Sequence, residues 1–525
     1  MFRRYFLVFF LACEALVILG CSLTPYFTTH HGHDQSSYLF EAQRLISGAE
    51  LYGPHVAETN PPMIIWFSAL AVLVARWMHV SSTVLFRILV IALIVGSVAW
   101  CVRILRRNTA ITNPVSLGFL GCAVLAIEFC IGPYNSGQRE HLFLILLLPY
   151  VLAAATRAVY RLSLAERCSL GIAAGIAIWF KPQDALVLIG LELFLLFRAR
   201  SLRRLVTPEF LSLVLSAAFV LLLVYVTAPL YGKVTVPLLF DAYWALGTVT
   251  TLQLILISHL YLLQLGLVLV VCLIFRRSQR DPATTVALMV CSVAAFYAFA
   301  IQHNNWWYHA YPHQALLLLA MAYLLTDLLY PITSKLSSDS RFPRRMGLIA
   351  SVVMAIVLCA IAVRPRAVFF ADSHYEWDPL DEFLAKYPHS TTVYVFSTSV
   401  PALSFAFNHD LNWGSRFAHL WMLPAIVQNE LGPTGAPAPF KKLSPEALSR
   451  LVSVQRTESA EDLNYWRPSV VLVQQCRSNN SCQGMEGKDF DVLSWFLQSP
   501  EFAAAWSHYQ RQPDFGNYSV YKFVP

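Results

Sequence analysis

The sequence predicts a polytopic α-helical membrane protein of about eleven transmembrane helices. An interfacial helix is expected in its first outer loop, and a mixed α/β domain on the extracytoplasmic side at its C-terminal end. Three observations lead there. Of 525 residues, 57% are hydrophobic and 13% charged, against about 25% charged in an average soluble domain. Apolar blocks of roughly 20 residues, enough to cross a bilayer, recur through the first two-thirds of the chain. Short basic clusters separate those blocks, as orientation signals do, so the formal charge of +7 reads as topology and not as a nucleic-acid surface. An ordinary cytosolic enzyme is excluded.

Arg3 and Arg4 precede a first apolar block, Tyr5 to Tyr26, expected to remain as an uncleaved span. The block from Pro62 to His79 is short, opens on Pro61-Pro62 and carries Arg76, which suits a helix lying along the interface. Later spans are expected at 84–102, 115–133, 141–156, 168–181, 183–198, 208–230, 252–275, 283–301, 311–330 and 346–363. With 62–79 not crossing, the basic clusters at 3–4, 103–107, 157–167, 198–204, 276–280 and 335–345 all fall on one side. Letting it cross would move every cluster after the first to the opposite side. The N-terminus is then cytoplasmic, the module 1–363 includes a first outer loop at 28–83, and residues 364–525 lie outside. Moderate size suits a bacterial inner (plasma) membrane, with that domain periplasmic.

Strand-like runs at Thr391–Phe396, Val470–Gln474 and Tyr518–Val524 alternate with helix-like stretches in the C-terminal domain. Of eleven cysteines, Cys476 and Cys482 alone lie in a polar region. Their spacing allows a local disulfide in an oxidising compartment, two free thiols being the other reading.

Polar residues collect at the outer ends of the spans. The first outer loop runs from His30 through Asp34 and Tyr38 into an amphipathic helix, stops at Gly48, and continues through Glu58 to Asn60-Pro61-Pro62. The ordinary use of Asp34 there is an N-cap, with Gly48 as the matching stop. A second cluster holds Arg139, Glu140 and His141 at the start of a span, where such residues are costly and by default functional. The pair Arg139 and Glu140 also suits a plain interfacial anchor. A third, Lys181-Pro182-Gln183-Asp184, joins two spans, and Lys181 either meets a lipid phosphate or snorkels to the interface. The fourth carries His303, Asn304, Trp307, Tyr308 and His309. Aromatic belts seldom hold so many His and Asn side chains, so these are binding candidates. His309 and His313 have the spacing of two ligands on one helix, but Pro312 disturbs it and no acidic ligand adjoins, leaving a divalent metal open and unsupported. No Gly-rich nucleotide cradle is present. A sugar used outside the membrane would therefore arrive on a lipid, and cationic and aromatic groups at headgroup depth suit a phosphate and a sugar.

Asp34 with Tyr38, Ala42, Gly48, Tyr52 and Asn60-Pro61-Pro62, followed by Trp66, resembles the first outer loop of GT-C glycosyltransferases. The likeness is to the protein O-mannosyltransferase and lipid A aminoarabinose transferase branch, glycosyltransferase family 39-like. It extends over the span layout and the outer domain. It implies inverting transfer of a single sugar from a polyprenyl-phosphate donor to an envelope glycan, lipid or protein acceptor at the outer face. By residue, the resemblance makes Asp34 the catalytic acid/base, Arg139 or Lys181 the phosphate partner and Glu58 a second carboxylate. The candidates Tyr38, Glu140, His141, Gln183, His303, Asn304, Trp307, Tyr308 and His309 would line the substrate side. Two departures stand out. Gln35 follows Asp34 where many relatives have a second acid, and Asn60 precedes Pro-Pro where many have Lys. A transporter or flippase of a lipid-linked or small polar substrate would call for inverted repeats and mid-span polar groups, which are not visible. A non-enzymatic envelope assembly partner would tolerate loss of Asp34.

Overall fold

The computed structural model describes residues 32–108, 114–129, 135–246, 249–277, 279–304, 306–338, 378–434, 440–478 and 482–525. The spans expected at 5–26 and 346–363 lie outside these residues.

Helix α1, His33–Ile46, is capped by Gly32, whose N–H donates to Gln35 Oε1 at 3.3 Å. Asp34 therefore sits inside the first turn and makes no cap, contrary to the plain expectation. Pro61-Pro62 starts α2, Pro62–Met78, as proline does where the first helical N–H would be unpaired anyway. It packs between α1 and α3, Ser82–Arg107. Then follow α4 (Pro114–Phe129), α5 (Arg139–Ala155), α6 (Leu164–Ala177), α7 (Ala185–Ala199) and α8 (Pro208–Thr227). Gly171 and Gly175 let α6 lie directly on α8: a Cβ at either would collide with Ser212 or Ser216 and the α8 backbone, the small-residue contact that brings membrane helices close.

Beyond α8 the chain leaves the expected span three residues early, winds through a π-turn at Tyr231–Thr235 and forms α9, Val236–Ala242. The span expected at 252–275 is broken: α10 (Thr251–Ile257) and α11 (His259–Ile274) meet at 63°. Apolar composition alone cannot register such a bend. Helices α12 (Pro282–Ala300) and α13 (Tyr311–Ser338) pack side by side. Among the described residues, four helices are long and apolar enough to cross a membrane, or five with the bent pair as one span. Four further expected spans coincide with helices of 16, 17, 14 and 15 residues, α4 to α7. Some residues of the basic clusters are ion-paired: Arg103 with Glu166, Arg167 with Glu209, and Arg204, buried between Glu192 and Glu209.

The C-terminal domain contains helices α14 (Pro379–Leu384), α15 (Ala402–Asn408), α16 (Leu423–Leu431), α17 (Pro445–Trp466), α18 (Val492–Phe496) and α19 (Pro500–Trp506). Its strands are β1 (Thr392–Phe396), β2 (Asn412–Trp413), β3 (Val470–Gln474), β4 (Tyr509–Arg511) and β5 (Tyr518–Phe523), in the order β2-β1-β3-β5-β4. The three expected strands are there. β2 and β4 are too short for alternation to reveal. β1 runs parallel to β2 and β3, while β5 is antiparallel to β3 and β4. Cys476 and Cys482 are disulfide-bonded.

The two parts share packing. Leu238, Ala242, Ala245 and Leu246 enter the domain's hydrophobic core, with Phe40 and Ala57 against it. Arg44, at the far end of α1 from Asp34, donates to the carbonyls of Ser415 at 2.8 Å and Trp413 at 2.7 Å in the domain, and of His55 at 2.7 Å in its own loop. Its guanidinium also lies over Phe40 and Trp466. Replacing Arg44 by Ala orphans three carbonyls and two ring contacts. It is expected to cost about 2–4 kcal/mol, with Lys rescuing little because it lacks the fork. Thermal unfolding of the detergent-solubilised full chain checks this.

Candidate functional site

Where α1, the 57–60 turn, the start of α5, the 243–246 turn and the 306–308 segment meet the C-terminal domain, they enclose a cavity of about 310 Å³. Asp34, Glu58, Arg139, Trp307 and Tyr308 line it, together with Glu41, Tyr243 and Trp306.

Asp34 is held from two directions. Gln138 Nε2 donates to its Oδ2 at 2.7 Å, and His33 Nε2 is 3.5 Å from its Oδ1. The Tyr38 hydroxyl donates to Gln138 Oε1 at 3.2 Å, which fixes the amide so that its nitrogen faces Asp34. Burial alone would raise the Asp34 pKa. The nearby His33, Arg139 and the Gln138 hydrogen bond outweigh that and hold it below its ordinary value, so Asp34 is a carboxylate at neutral pH. Glu58 Oε1 accepts from the Thr59 and Asn60 backbone N–H groups at 2.5 and 2.7 Å and from Asn60 Nδ2 at 2.8 Å, bracing the turn into α2. A hydrogen bond also joins the Glu58 and Glu41 carboxyl groups. Burial together with Glu58 pushes the Glu41 carboxyl well above the ordinary range, so Glu41 is protonated.

Arg139 makes no ion pair among the described residues, and its Nε has no hydrogen-bond partner there. Its neighbour Glu140 is spent on others: Lys181 pairs with Glu140 Oε1, both side chains fully buried, and His309 Nε2 lies 3.2 Å from the same oxygen. Lys181 is therefore neither a snorkelling anchor nor a residue of the cavity wall. His309 Nδ1 in turn contacts Asn304 Oδ1 at 3.0 Å. The Lys181, Glu140, His309 and Asn304 side chains form a network behind the wall that carries Arg139 on one side and Trp307-Tyr308 on the other.

The remaining candidates also stand back. Tyr38 is fully buried and reaches Asp34 only through Gln138. His141 Nδ1 accepts from Gly137 N–H at 3.1 Å and its Nε2 meets Glu128 O at 2.7 Å, locking the loop before α5. Gln183 lies half-buried in the α6–α7 connection, away from the cavity. His303 pairs with the Val249 backbone. His313 contacts Ser292 at 2.8 Å, so His309 and His313 serve separate contacts. No group of three or more His, Cys, Asp or Glu side chains among the described residues converges to hold a metal.

Glu41, Tyr243, His419 and Trp421 escaped sequence reasoning, and Gln138 entered only as part of the Gly137–His141 run. Glu41 had a signal: it shares one helical stripe with Asp34 and Tyr38. Gln138 stood in a polar run with nothing to single it out.

The arrangement of a helical membrane module whose first outer loop meets a C-terminal α/β domain over a cavity at the helix ends is shared with solved structures. The chain is similar along almost its whole length to the structure of ArnT from Cupriavidus metallidurans in the apo state, with a TM-score of 0.55 at 13% identity over 99% of this chain and 98% of that one. For the same protein bound to undecaprenyl phosphate the TM-score is 0.53 at 13% identity, over 98% and 97%. The likeness to the Archaeoglobus fulgidus oligosaccharyltransferase is looser, at 0.43 and 12% identity over 98% and 74%. No family model matches the sequence, and no curated protein matches it.

Two outcomes follow from this geometry. Gln138→Leu removes a hydrogen bond to the charged form of Asp34, so the Asp34 pKa rises; infrared titration of its carboxylate band, assigned against Asp34→Asn, checks the direction. Lys181→Met leaves Glu140 buried without its cation and is expected to destabilise the fold by about 3–5 kcal/mol. Adding Glu140→Gln should recover much of that in thermal unfolding.

Proposed function

We propose that this protein is an inverting glycosyltransferase that moves a single sugar from a polyprenyl-phosphate donor to an acceptor at the outer face of the membrane. The observation that carries the reading is the pairing, in one cavity, of an ionised Asp34 with an Arg139 that has no ion-pair partner among the described residues. The likeness in fold to a protein whose structure holds undecaprenyl phosphate supports it.

In this reading Arg139 meets the lipid phosphate and stabilises the negative charge that grows there as it leaves. Trp306, Trp307, Tyr308 and Tyr243 supply apolar faces against which a sugar ring packs. The acceptor oxygen attacks the anomeric carbon, the bond from that carbon to the phosphate oxygen breaks, and its electron pair departs with the polyprenyl phosphate. The acceptor proton passes to Asp34. A carboxylate of low basicity suffices, because the acceptor hydroxyl becomes strongly acidic only as its oxygen bonds to carbon. Gln138 and Tyr38 keep the carboxylate in place, and the Glu140–Lys181 pair positions Arg139.

The test is transfer of radiolabelled sugar from a panel of polyprenyl-phosphate donors to extracted envelope material by the purified full chain. Asp34→Asn is expected to keep donor binding and lose transfer by about 10²–10⁴-fold. Equal behaviour of the two proteins removes Asp34 from the chemistry. Binding of lipid-linked substrate with no transfer across the panel replaces the enzyme by a transporter or an assembly partner.

The pH dependence follows from the direction of the Asp34 shift. A base held below its ordinary pKa stays charged as pH falls, so Asp34 imposes no loss of kcat/KM between about pH 8 and pH 5. In Gln138→Leu the acid limb moves to higher pH.

A further inference from the structure

The C-terminal domain supplies one side of the cavity, and the way it does so is regular. Strands β2, β1 and β3 are parallel to one another. The segments that reach the cavity, Ser399–Pro401, Ala418–Trp421 and Gln483, each lie on the chain beyond the carboxyl end of one of them: β1, β2 and β3 respectively. Carboxyl-end loops of parallel strands are where open α/β sheets place their ligands. The segment 419–421 is tied back to that edge, since Leu420 N–H donates to Ser397 O at 2.8 Å.

The chemistry of this side differs from the other. The membrane module contributes Asp34, Glu41, Glu58 and Arg139; the domain contributes Ser399, Val400, Pro401, Leu403, His419 and Trp421 among others, none with a fixed charge. His419 is neutral near pH 7, since burial and then the neighbouring His33 lower its pKa to about 4. Two of its polar atoms await partners. His419 Nδ1 and the Trp421 indole N–H are both buried and make no hydrogen bond among the described residues. Asp34 is the charged group near both sides: it acts electrostatically on His419 and on Arg139.

Inversion places nucleophile and leaving group on opposite faces of the sugar. With the phosphate at Arg139, the acceptor comes from the side across Asp34. We propose that the uncharged side built on His419 and Trp421 is the acceptor subsite, which takes a hydroxyl-bearing acceptor by hydrogen bonds to the imidazole and from the indole and turns that hydroxyl toward Asp34. This rests on the glycosyltransferase reading above. The bond made is acceptor oxygen to anomeric carbon, the bond broken is anomeric carbon to phosphate oxygen, and the hydroxyl proton goes to the Asp34 carboxylate. The domain thereby becomes part of the site and not a separate module.

The test uses the full chain in lipid nanodiscs with His419→Leu and Trp421→Phe, which keep most of the bulk while removing the polar contacts. Initial rates are measured against acceptor concentration at saturating radiolabelled donor, and donor affinity is measured by binding of the polyprenyl phosphate alone. The expected result is a rise of about tenfold in acceptor KM in each variant, the equivalent of one hydrogen bond, with polyprenyl-phosphate affinity unchanged. An unchanged acceptor KM overturns the subsite. So does a matching fall in donor affinity, which would assign this side to the donor. If the wild type transfers and the variants match it, the subsite falls alone; if the wild type transfers nothing from any donor, it falls together with the reading it rests on.

Discussion

The buried ion pair between Lys181 and Glu140 decides the character of the cavity. A carboxylate at the end of a membrane helix must be compensated, and in a low-dielectric setting the nearest cation is captured outright. Glu140 could have taken Arg139, its neighbour in sequence. It takes Lys181 instead, fully buried behind the wall, and His309 stands beside the same oxygen. Arg139 is thereby left facing the cavity with no ion pair among the described residues, and His309 of the 306–309 segment stands 3.2 Å from the same carboxylate oxygen.

Helix α1 carries the second constraint. Its first turn holds Asp34 against Gln138 of the membrane module, and its last turn holds Arg44 in the carbonyls of the C-terminal domain. Tilting the domain would move Asp34, and displacing Asp34 would strain the domain contact. Ser36, hydroxyl to hydroxyl with Ser404 at 3.0 Å, and Ala57 N–H, which donates to Arg416 O at 3.2 Å, tie the same loop at two further points. The domain's loops and the loop that bears Asp34 are therefore placed by one body of packing, which is how groups from two distant stretches of chain keep a common geometry.

Much of this was legible in the sequence, for identifiable reasons. Span positions follow from hydropathy because the bilayer sets a fixed length, and the three longer strands follow from runs of branched and aromatic residues. Asp34 and Glu58 were singled out by the resemblance of the first outer loop, Arg139 by the cost of a charge at a helix end, and the Trp307-Tyr308 pair by an aromatic belt unusually rich in His and Asn. Long-range pairing was not legible. Nothing local tells that Lys181 reaches back 41 residues to Glu140, that Tyr38 acts through Gln138, or that the bend at Ser258 breaks an apolar run. His419 and Trp421 were hidden for another reason: an α/β domain contains many such residues, and only the sheet topology brings these two to the cavity.

The charge of the cavity then explains itself. Three carboxyl groups against a single guanidinium would repel an anionic lipid phosphate. Burial beside Glu58 keeps Glu41 protonated and removes one of those charges, while Asp34 retains its own because His33, Arg139 and Gln138 all favour the carboxylate. Two acids on one helical stripe are driven in opposite directions by their partners, the pattern that separates a group able to accept a proton from one that can only donate a hydrogen bond. Arg139 does not titrate in the physiological range, and His419 is already neutral there. Across neutral pH Asp34, Arg139 and His419 therefore hold their charge states.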